Sequence, residues 1–327
     1  MILITGGAGY IGSHTVINFL EAGYDVVIFD SLENGHAETI ESLKLIGNIH
    51  FIKGDLKNIQ DIENVFKNYS IDTVVHFAGF IQVEESVKNP SKYYRNNIIG
   101  SLNLFDSMIK YNVKKIIFSS TCAIYGKPQY LPLDEKHPKN PINPYGRTKL
   151  MIEEILDDYD RAYGLKSIKL RYFNVAGADS QKRTGEWHEP ETHIIPNILK
   201  SIIKKNKSFK IFGNDYNTPD GTCIRDYVNI EDMAEAHKLA YLFLKEKNKS
   251  DCFNIGTEKG YSVKEVFATA EKAAGTKVQL EIMPRREGDA EVLLSDSSKA
   301  EKILHWKAKK SLEDSINTAL SWEKTLP

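Results

Sequence analysis

The segment NPYGRTK, residues 143–149, places a phenol and an ammonium four residues apart, at Tyr145 and Lys149. Pro144 can open a helix, and residues four apart on a helix share one face. An ammonium beside a phenol favours the phenolate, and a catalytic base works best when its pKa lies near the working pH. The pair could therefore accept a proton from a hydroxyl group. The same spacing also arises by chance on solvated helix surfaces, so this interpretation depends on the rest of the chain.

A glycine-rich turn near the N-terminus is the second chemically informative segment. TGGAGYIG, residues 5–12, follows a short apolar run, and Gly7, Gly9 and Gly12 fit the pattern GxGxxG. Glycine at these positions permits a tight turn and a close approach of backbone to a pyrophosphate, and the following helix presents free N–H groups. Asp30, at the end of the next apolar run, can accept hydrogen bonds from ribose hydroxyls and would repel a 2′-phosphate. The segment predicts a site for NAD rather than NADP.

Short apolar runs alternate with amphipathic stretches through the first half of the chain. The runs predict strands at 1–6, 25–30, 50–55, 72–79, 114–120 and 167–174. The amphipathic stretches predict helices at 11–22, 58–68, 91–111 and 143–163. Such alternation is typical of a parallel sheet with helices on both faces. We therefore predict the α/β class, with a Rossmann-type doubly wound parallel sheet.

The pattern changes after residue 176. Residues 176–192 have no periodicity and are expected to form a long loop, which in compact proteins is usually functional or disordered. Beyond it, predicted helices at 195–205, 231–246 and 262–274 alternate with short extended segments such as 209–213 and 252–256. We expect an NAD-binding Rossmann domain over residues 1–176 and a smaller α/β substrate-binding lobe over residues 177–327, with the ligand in the cleft between them.

The composition excludes several classes of protein. The 327 residues contain 43 Lys and Arg against 44 Asp and Glu, and no basic stripe predicts binding to nucleic acid or to a membrane surface. Cys122, Cys223 and Cys252 are odd in number and far apart, which argues against a disulfide framework or a CxxC metal site. We expect no metal. The N-terminus has no signal-like segment, and we expect a cytoplasmic protein.

Further segments resemble one family. HFAG (76–79), SSTCAIYG (119–126), YFNVAGA (172–178), IFGNDYNTPDGTCIRDY (211–227) and PRREGD (284–289) occur in order with the two motifs above. Along nearly its whole length the chain resembles the UDP-glucose 4-epimerase branch of the extended short-chain dehydrogenase/reductase family. The resemblance implies NAD-dependent oxidation at C4 of a UDP-sugar, rotation of the 4-keto intermediate and reduction on its opposite face. It also implies a homodimer in which the helices at 91–111 and 143–163 form the interface.

The resemblance also implies roles for individual residues. The catalytic residues would be Tyr145, Lys149 and Thr121. With Tyr145 and Lys149, the residues that would surround NAD are Gly6, Gly9, Tyr10, Ile11, Gly12, Asp30, Asn34, Asp55, Leu56, Phe77, Ala78, Gly79, Asn96 and Phe173. With Thr121, the residues that would hold the nucleotide sugar are Asn174, His193, Phe212, Arg225, Arg286, Asp289 and Leu293. The arginines suit a diphosphate because their planar fork pairs with two phosphate oxygens.

The chain departs from the family pattern at two places, and a third position bears on the choice of substrate. Ile81 stands where some epimerases carry a lysine near the nicotinamide ribose. ETHIIP, residues 191–196, replaces an asparagine-containing version of that segment, so His193 is expected to contact the substrate differently. Leu293 occupies the position whose size governs room for an N-acetyl group at C2, so UDP-GlcNAc and UDP-GalNAc stay open as substrates.

Each alternative activity would need features that differ from those of an epimerase. A 4,6-dehydratase would need an acid beside Thr121, where Cys122 and Ala123 follow instead. An enzyme for UDP-glucuronate, a 4-epimerase or a decarboxylase, would need a further cation or polar donors for the sugar carboxylate, and none is evident. A net oxidoreductase would consume NAD(H) stoichiometrically. A non-catalytic sensor of NAD or nucleotide sugar would not need Thr121, Tyr145 and Lys149 together.

Overall fold

The computed structural model describes residues 1–204, 208–286 and 290–326. Asp289, one of the predicted substrate-binding residues, lies outside these ranges. The strands, numbered in chain order, are β1 Ile2–Thr5, β2 Val26–Asp30, β3 Ile49–Lys53, β4 Thr73–His76, β5 Lys115–Thr121, β6 Lys166–Tyr172, β7 Asn174–Ala176, β8 Ser208–Phe212, β9 Ile224–Asn229, β10 Asp251–Ile255, β11 Gly260–Ser262, β12 Gln279–Met283 and β13 Val292–Leu293. The α-helices are α1 Tyr10–Glu21, α2 Ala37–Lys44, α3 Ile59–Asn68, α4 Val83–Lys88, α5 Pro90–Tyr93, α6 Gly100–Lys110, α7 Pro144–Tyr163, α8 Ile194–Ile203, α9 Ile230–Lys247, α10 Val263–Ala274, α11 Ser298–Leu304 and α12 Leu312–Glu323.

Seven parallel strands form the main sheet, in the order β10-β6-β5-β4-β1-β2-β3. The strand β1 and the strand β2 are buried along their whole length, as expected for apolar runs covered on both faces. Strand order reverses direction between β1 and β4, which is the point where a doubly wound sheet opens a crevice for ligand. The predicted Rossmann-type fold is confirmed.

A smaller lobe covers the carboxyl ends of these strands. Strand β9 lies between β11 and β13 and also pairs with β7, while β8 pairs with β12. The strand β10 returns to the main sheet and pairs with β6, and the helix α9 packs on α1, where the Phe19 and Tyr241 rings are 5.6 Å apart. The division of the chain at residue 176 remains a proposal. In this division β10 and α9 belong to the second segment by sequence, but they pack against elements of the first.

The helix α7 shows how local sequence places the Tyr145–Lys149 pair. Asn143 caps the helix by accepting a hydrogen bond from the Gly146 amide at 2.8 Å, and Pro144 occupies the first turn. Gly164 ends the helix with a left-handed φ of 70°. The predicted helix at 91–111 is instead three pieces, because a π-helical turn, Tyr94–Ile99, separates α5 from α6. Among the described residues, no helix has the length and apolar character needed to cross a membrane.

Candidate active site

A cavity of about 930 Å³ opens at the carboxyl ends of the main-sheet strands, against the smaller lobe. Most of the predicted site residues share its wall. They are Gly6, Gly9, Tyr10, Ile11, Gly12, Asp30, Asn34, Asp55, Leu56, Phe77, Ala78, Gly79, Asn96, Thr121, Tyr145, Phe173, Asn174, His193, Phe212, Arg225 and Arg286. Two other described members of the predicted set, Lys149 and Leu293, lie behind that wall. One continuous space therefore joins the predicted cofactor and substrate residues.

The glycine-rich turn at the start of α1 is shaped for close contact. Gly6 has a φ of 75°, and a Cβ atom there would lie 2.7 Å from the Ala78 amide nitrogen. A Cβ on Gly12 would lie 2.1 Å from the Gly6 carbonyl oxygen. At Gly9, by contrast, a Cβ would meet only the Gly6 oxygen, at 3.4 Å, so that its other side faces the cavity. The turn thus leaves room for a ligand against the N-terminus of α1, as the sequence predicts for a pyrophosphate.

Asp30 ends β2 with its carboxylate fixed by two backbone amides. Oδ2 accepts from Ala8 at 2.9 Å and Oδ1 accepts from Leu32 at 2.8 Å. Burial raises the pKa of Asp30, and these two hydrogen bonds oppose that shift. Each carboxylate oxygen has a second lone pair available. The geometry fits a pair of ribose hydroxyls, so the chain's own residues can accommodate the adenosine half of NAD.

Thr121 and Tyr145 meet at the other end of the cavity. Thr121 ends β5, and its hydroxyl oxygen accepts a hydrogen bond of 3.2 Å from the Ala123 amide. A hydrogen bond between Thr121 and the phenol tends to lower the pKa of Tyr145. Lys149 is buried on the same helix face, and its ammonium donates to the Ser119 carbonyl oxygen at 2.8 Å. The three predicted catalytic residues are thus brought together by β5 and α7.

The titration of the pair differs from the sequence-based hypothesis that Lys149 lowers the pKa of Tyr145. Burial raises the pKa of Tyr145 to about 12, more than the Thr121 hydrogen bond lowers it. Burial also lowers the pKa of Lys149 to about 7, so its ammonium is partly discharged near neutrality. Desolvation disfavours the charged form of each group, and it is the largest cause of both shifts. A positive charge on a ligand bound beside the phenol would favour the phenolate.

Asn97 is a positioning residue that sequence reasoning missed. It lies in the π-helical turn and is buried, with its amide oxygen accepting from the Phe80 amide at 2.8 Å. Its amide nitrogen donates to the Phe80 carbonyl at 3.1 Å and to the Thr148 hydroxyl at 3.2 Å. Asn97 therefore ties the loop after β4 to α7, next to Lys149. Two adjacent asparagines within a predicted helix were the available signal, since asparagine is a poor helix former.

Several predicted binding residues also make contacts within the protein. The Tyr10 hydroxyl donates to the Gly177 carbonyl oxygen at 2.6 Å, so the side chain fastens the long loop. The Arg286 guanidinium lies 4.0 Å from the centre of the Phe212 ring at the cavity wall. The Arg225 guanidinium donates to the Ala290 carbonyl at 2.8 Å. Leu293 packs in a small cluster with Phe173, behind the wall.

The long loop contributes a cluster of charged side chains to the cavity wall. No helix or strand is present in residues 177–193, all of which are described, as predicted for a loop. Glu186 forms an ion pair with His193 and lies 3.4 Å from His188 Nδ1. His188 Nδ1 also lies 3.6 Å from Glu191 Oε1. The two carboxylates raise the pKa of His188 to about 10 against the effect of burial.

The fold and the site together define an NAD-dependent short-chain dehydrogenase/reductase that acts on a nucleotide sugar. The sequence matches the family model for GDP-mannose 4,6 dehydratase over residues 3–319. It is 46% identical over its whole length to a UDP-glucose 4-epimerase of Halalkalibacterium halodurans, covering 96% of that protein. The chain therefore belongs to the UDP-glucose 4-epimerases of the extended short-chain dehydrogenase/reductase family.

Solved structures agree with this assignment. UDP-glucose 4-epimerase from Bifidobacterium longum, in complex with NAD⁺ and UDP, superposes with a TM-score of 0.94 at 39% identity, over 99% of this chain and 98% of that one. The UDP-Glc/GlcNAc 4-epimerase from Campylobacter jejuni has a TM-score of 0.87 at 43% identity, over 99% of both chains. The similarity thus includes both lobes.

Proposed function

We propose that this protein interconverts UDP-glucose and UDP-galactose, using NAD that stays bound through each cycle. One observation carries the proposal. A single cavity joins the glycine-rich turn and Asp30 to the Thr121–Tyr145 pair and to Arg225 and Arg286. The cofactor residues and the nucleotide-sugar residues thus face one space, as a transfer between the two ligands requires.

The chain's own residues bind, orient and move a proton. Tyr145 accepts the proton of the sugar's C4 hydroxyl, and Thr121 hydrogen-bonds to the same oxygen and orients it. When bound, NAD supplies an oxidised nicotinamide that accepts the hydride from C4 and later returns it, and its positive charge favours the Tyr145 phenolate. The 4-keto sugar rotates about its link to the diphosphate before reduction. Tyr145 then returns the proton to O4, and the configuration at C4 is inverted.

The two arginines fit the diphosphate end of the substrate. Arg225 and Arg286 line the part of the cavity formed by the smaller lobe, and Thr121 and Tyr145 line the part formed by β5 and α7. Binding energy at the diphosphate holds the substrate while the sugar is released to rotate. The sugar pocket must leave room for the sugar to rotate, whereas the nucleotide must stay tightly bound.

We also propose a cytoplasmic homodimer. Helices α6 and α7 and the π-helical turn would form the interface, because large apolar side chains on this face are exposed to solvent. Ile99 is 43% exposed and Met151 is 36% exposed. Burying such side chains favours association. A Met151→Lys variant should sediment as a monomer at concentrations where the parent chain is dimeric.

Two alternative activities differ in how well the site fits them. Elimination by a 4,6-dehydratase requires a proton donor beside Thr121, and the next two positions at the cavity wall are Cys122 and Ala123. UDP-GlcNAc is the second candidate substrate, because the Campylobacter jejuni relative is a UDP-Glc/GlcNAc 4-epimerase. We expect UDP-glucose to be the preferred substrate, because the Halalkalibacterium relative is a UDP-glucose 4-epimerase.

The test is turnover of UDP-galactose by the purified protein without added cofactor. We expect UDP-glucose to accumulate to equilibrium with no net change in absorbance at the NADH wavelength. Tyr145→Phe should abolish turnover and leave bound NAD intact. Near-normal activity of that variant would overturn the proposed role, and stoichiometric formation of NADH would identify a net oxidoreductase instead.

A further inference from the structure

The four charged side chains of the long loop form a compact set of metal-ligand atoms. Glu186, His188, Glu191 and His193 each offer one nitrogen or oxygen, and these atoms all lie within 4.8 Å of one another. Four ligands around a tetrahedral zinc ion, at bond lengths of about 2.0–2.2 Å, are separated by roughly 3.4 Å. Small rotations of the four side chains would therefore complete such a site.

Two buried atoms of the set make no hydrogen bond to the described part of the chain, although one of them, His188 Nδ1, lies 3.4 Å from Glu186 and 3.6 Å from Glu191. His188 Nδ1 and Glu191 Oε2 are buried without a hydrogen bond among the described residues. The Glu191 side chain is only 4% exposed, and its other oxygen accepts from the His193 amide at 2.8 Å. A buried carboxylate oxygen without a donor is costly, and coordination to a cation removes that cost.

A divalent cation can replace the histidine protons in balancing the charge of the cluster. When a metal ion displaces the protons of the two histidines, Glu186 and Glu191 leave two negative charges at the site, and their side chains are only 6% and 4% exposed. A single divalent ion would balance the two carboxylates and leave both histidines in the neutral form that binds metal.

We propose that Glu186, His188, Glu191 and His193 bind one divalent transition-metal ion, of which Zn²⁺ is the best match. Two imidazole nitrogens with two carboxylate oxygens suit zinc, whereas Mg²⁺ and Ca²⁺ prefer oxygen ligands alone. The proposal replaces our sequence-based expectation that the chain has no metal. It goes beyond the epimerase function and does not depend on it.

The ion would fix one wall of the cavity. His193 is the N-cap residue of α8, whereas Glu186 and His188 belong to the irregular loop, so coordination joins the loop to the helix. The His188 ring also lies 6.5 Å from the Tyr10 ring at the start of α1. The metal thus has a structural role, since it holds the loop against the helix that carries the glycine-rich turn.

Zinc binding can be measured on the NAD-containing protein after removal of any histidine tag. The protein is treated with EDTA, dialysed and titrated with Zn²⁺ against a chromophoric competing chelator, and bound zinc is counted by mass spectrometry. We expect one Zn²⁺ per chain, no competition by equimolar Mg²⁺, and a rise in unfolding temperature of at least about 3 °C. Absence of retained zinc would overturn the proposal.

Variants of the proposed ligands test where the ion binds. His188→Gln and Glu191→Gln preserve size and hydrogen-bonding capacity, and each should weaken zinc binding at least tenfold. His305→Asn is the matched control, because His305 is exposed, has a φ of 55° that asparagine tolerates, and should leave binding unchanged. Undiminished zinc binding by both glutamine variants would place the ion elsewhere, for example on the cysteines, and would refute the site. Bound NAD and circular dichroism verify folding, and epimerase turnover is recorded separately.

Discussion

The Lys149 ammonium donates a hydrogen bond of 2.8 Å to the carbonyl oxygen of Ser119. The same ammonium lies 4.9 Å from the centre of the Phe118 ring. Ser119 precedes Thr121 on β5, and Lys149 follows Tyr145 by one turn of α7. The contact therefore fixes the helix that carries the phenol against the strand that carries the threonine.

Lys149→Met should lower turnover of UDP-galactose by at least about 100-fold, because it removes both this hydrogen bond and a positive charge near the phenol. Methionine keeps the length and the packing of the side chain, so the fold should persist. Lys115→Met, at the other end of β5, removes only a surface ion pair with Asp72 and is the control. Activity of Lys149→Met within threefold of the parent would exclude an electrostatic role for Lys149.

Arg286→Gln should raise the KM for UDP-galactose by about 10-fold to 100-fold with a smaller effect on kcat, since a charged hydrogen bond to phosphate contributes roughly 1.5–3 kcal/mol. The neighbouring Arg285 is a matched control. It bonds to Asp215 and lies 4.1 Å from the centre of the Tyr216 ring, and it is not part of the cavity wall. Equal effects of Arg285→Gln and Arg286→Gln on KM would contradict a diphosphate contact specific to Arg286.

The side chain of Leu293 should control acceptance of N-acetylated sugars. It packs against the buried cluster that contains Phe173, which lines the cavity, so its volume can affect how far Phe173 projects inward. Leu293→Tyr should lower, and Leu293→Ala should raise, the ratio of kcat/KM for UDP-GlcNAc to that for UDP-glucose by about tenfold, as expected for a few methylenes in an apolar pocket. Steady-state kinetics on both substrates measure the ratio. An unchanged ratio in both variants would remove Leu293 from the specificity site.

The stability of the protein should fall in mild acid because of buried neutral histidines. His237 is fully buried, and burial lowers its pKa from 6.5 to about 4. Between these values the unfolded chain binds a proton that the folded chain does not, so the free energy of unfolding decreases as the pH falls below 6.5. His237→Phe keeps a ring beside Phe77 and Tyr172 and removes this proton.

Urea unfolding at pH 7 and pH 5 measures the effect of His237. The parent should lose about 2 kcal/mol more than His237→Phe between the two values. His50→Gln is the control, because His50 is only partly buried on the edge strand β3. Equal losses in the parent and in His237→Phe would show that His237 titrates normally.

Local signals in the sequence were enough to place the glycine-rich turn and Asp30 at one edge of the sheet. The turn after β1 and Asp30 after β2 each follow an apolar run, and parallel strands bring their carboxyl ends to one edge. The spacing of Tyr145 and Lys149 likewise needs only one helix. The pKa values of this pair were not predictable, because they follow from burial by segments distant in the chain.

Long-range features escaped prediction for the same reason. The run at 252–256 predicted a strand, and the structure has β10 there, but a short run does not indicate which sheet it joins. Asn97 is buried by contacts with Phe80 and Thr148 that no spacing rule reveals. The histidines and glutamates of GEWHEPETH were visible in the sequence, yet only the folded loop brings four ligand atoms together.

The pairing of β10 with β6 has a consequence for synthesis on the ribosome. As the nascent chain emerges, β6 is complete while its outer edge still lacks a partner, and it stays so until Asp251–Ile255 has been made. An open strand edge invites pairing with other chains. A chain that stops at residue 176 would leave that edge exposed permanently. We therefore expect the two lobes to be encoded together in one gene.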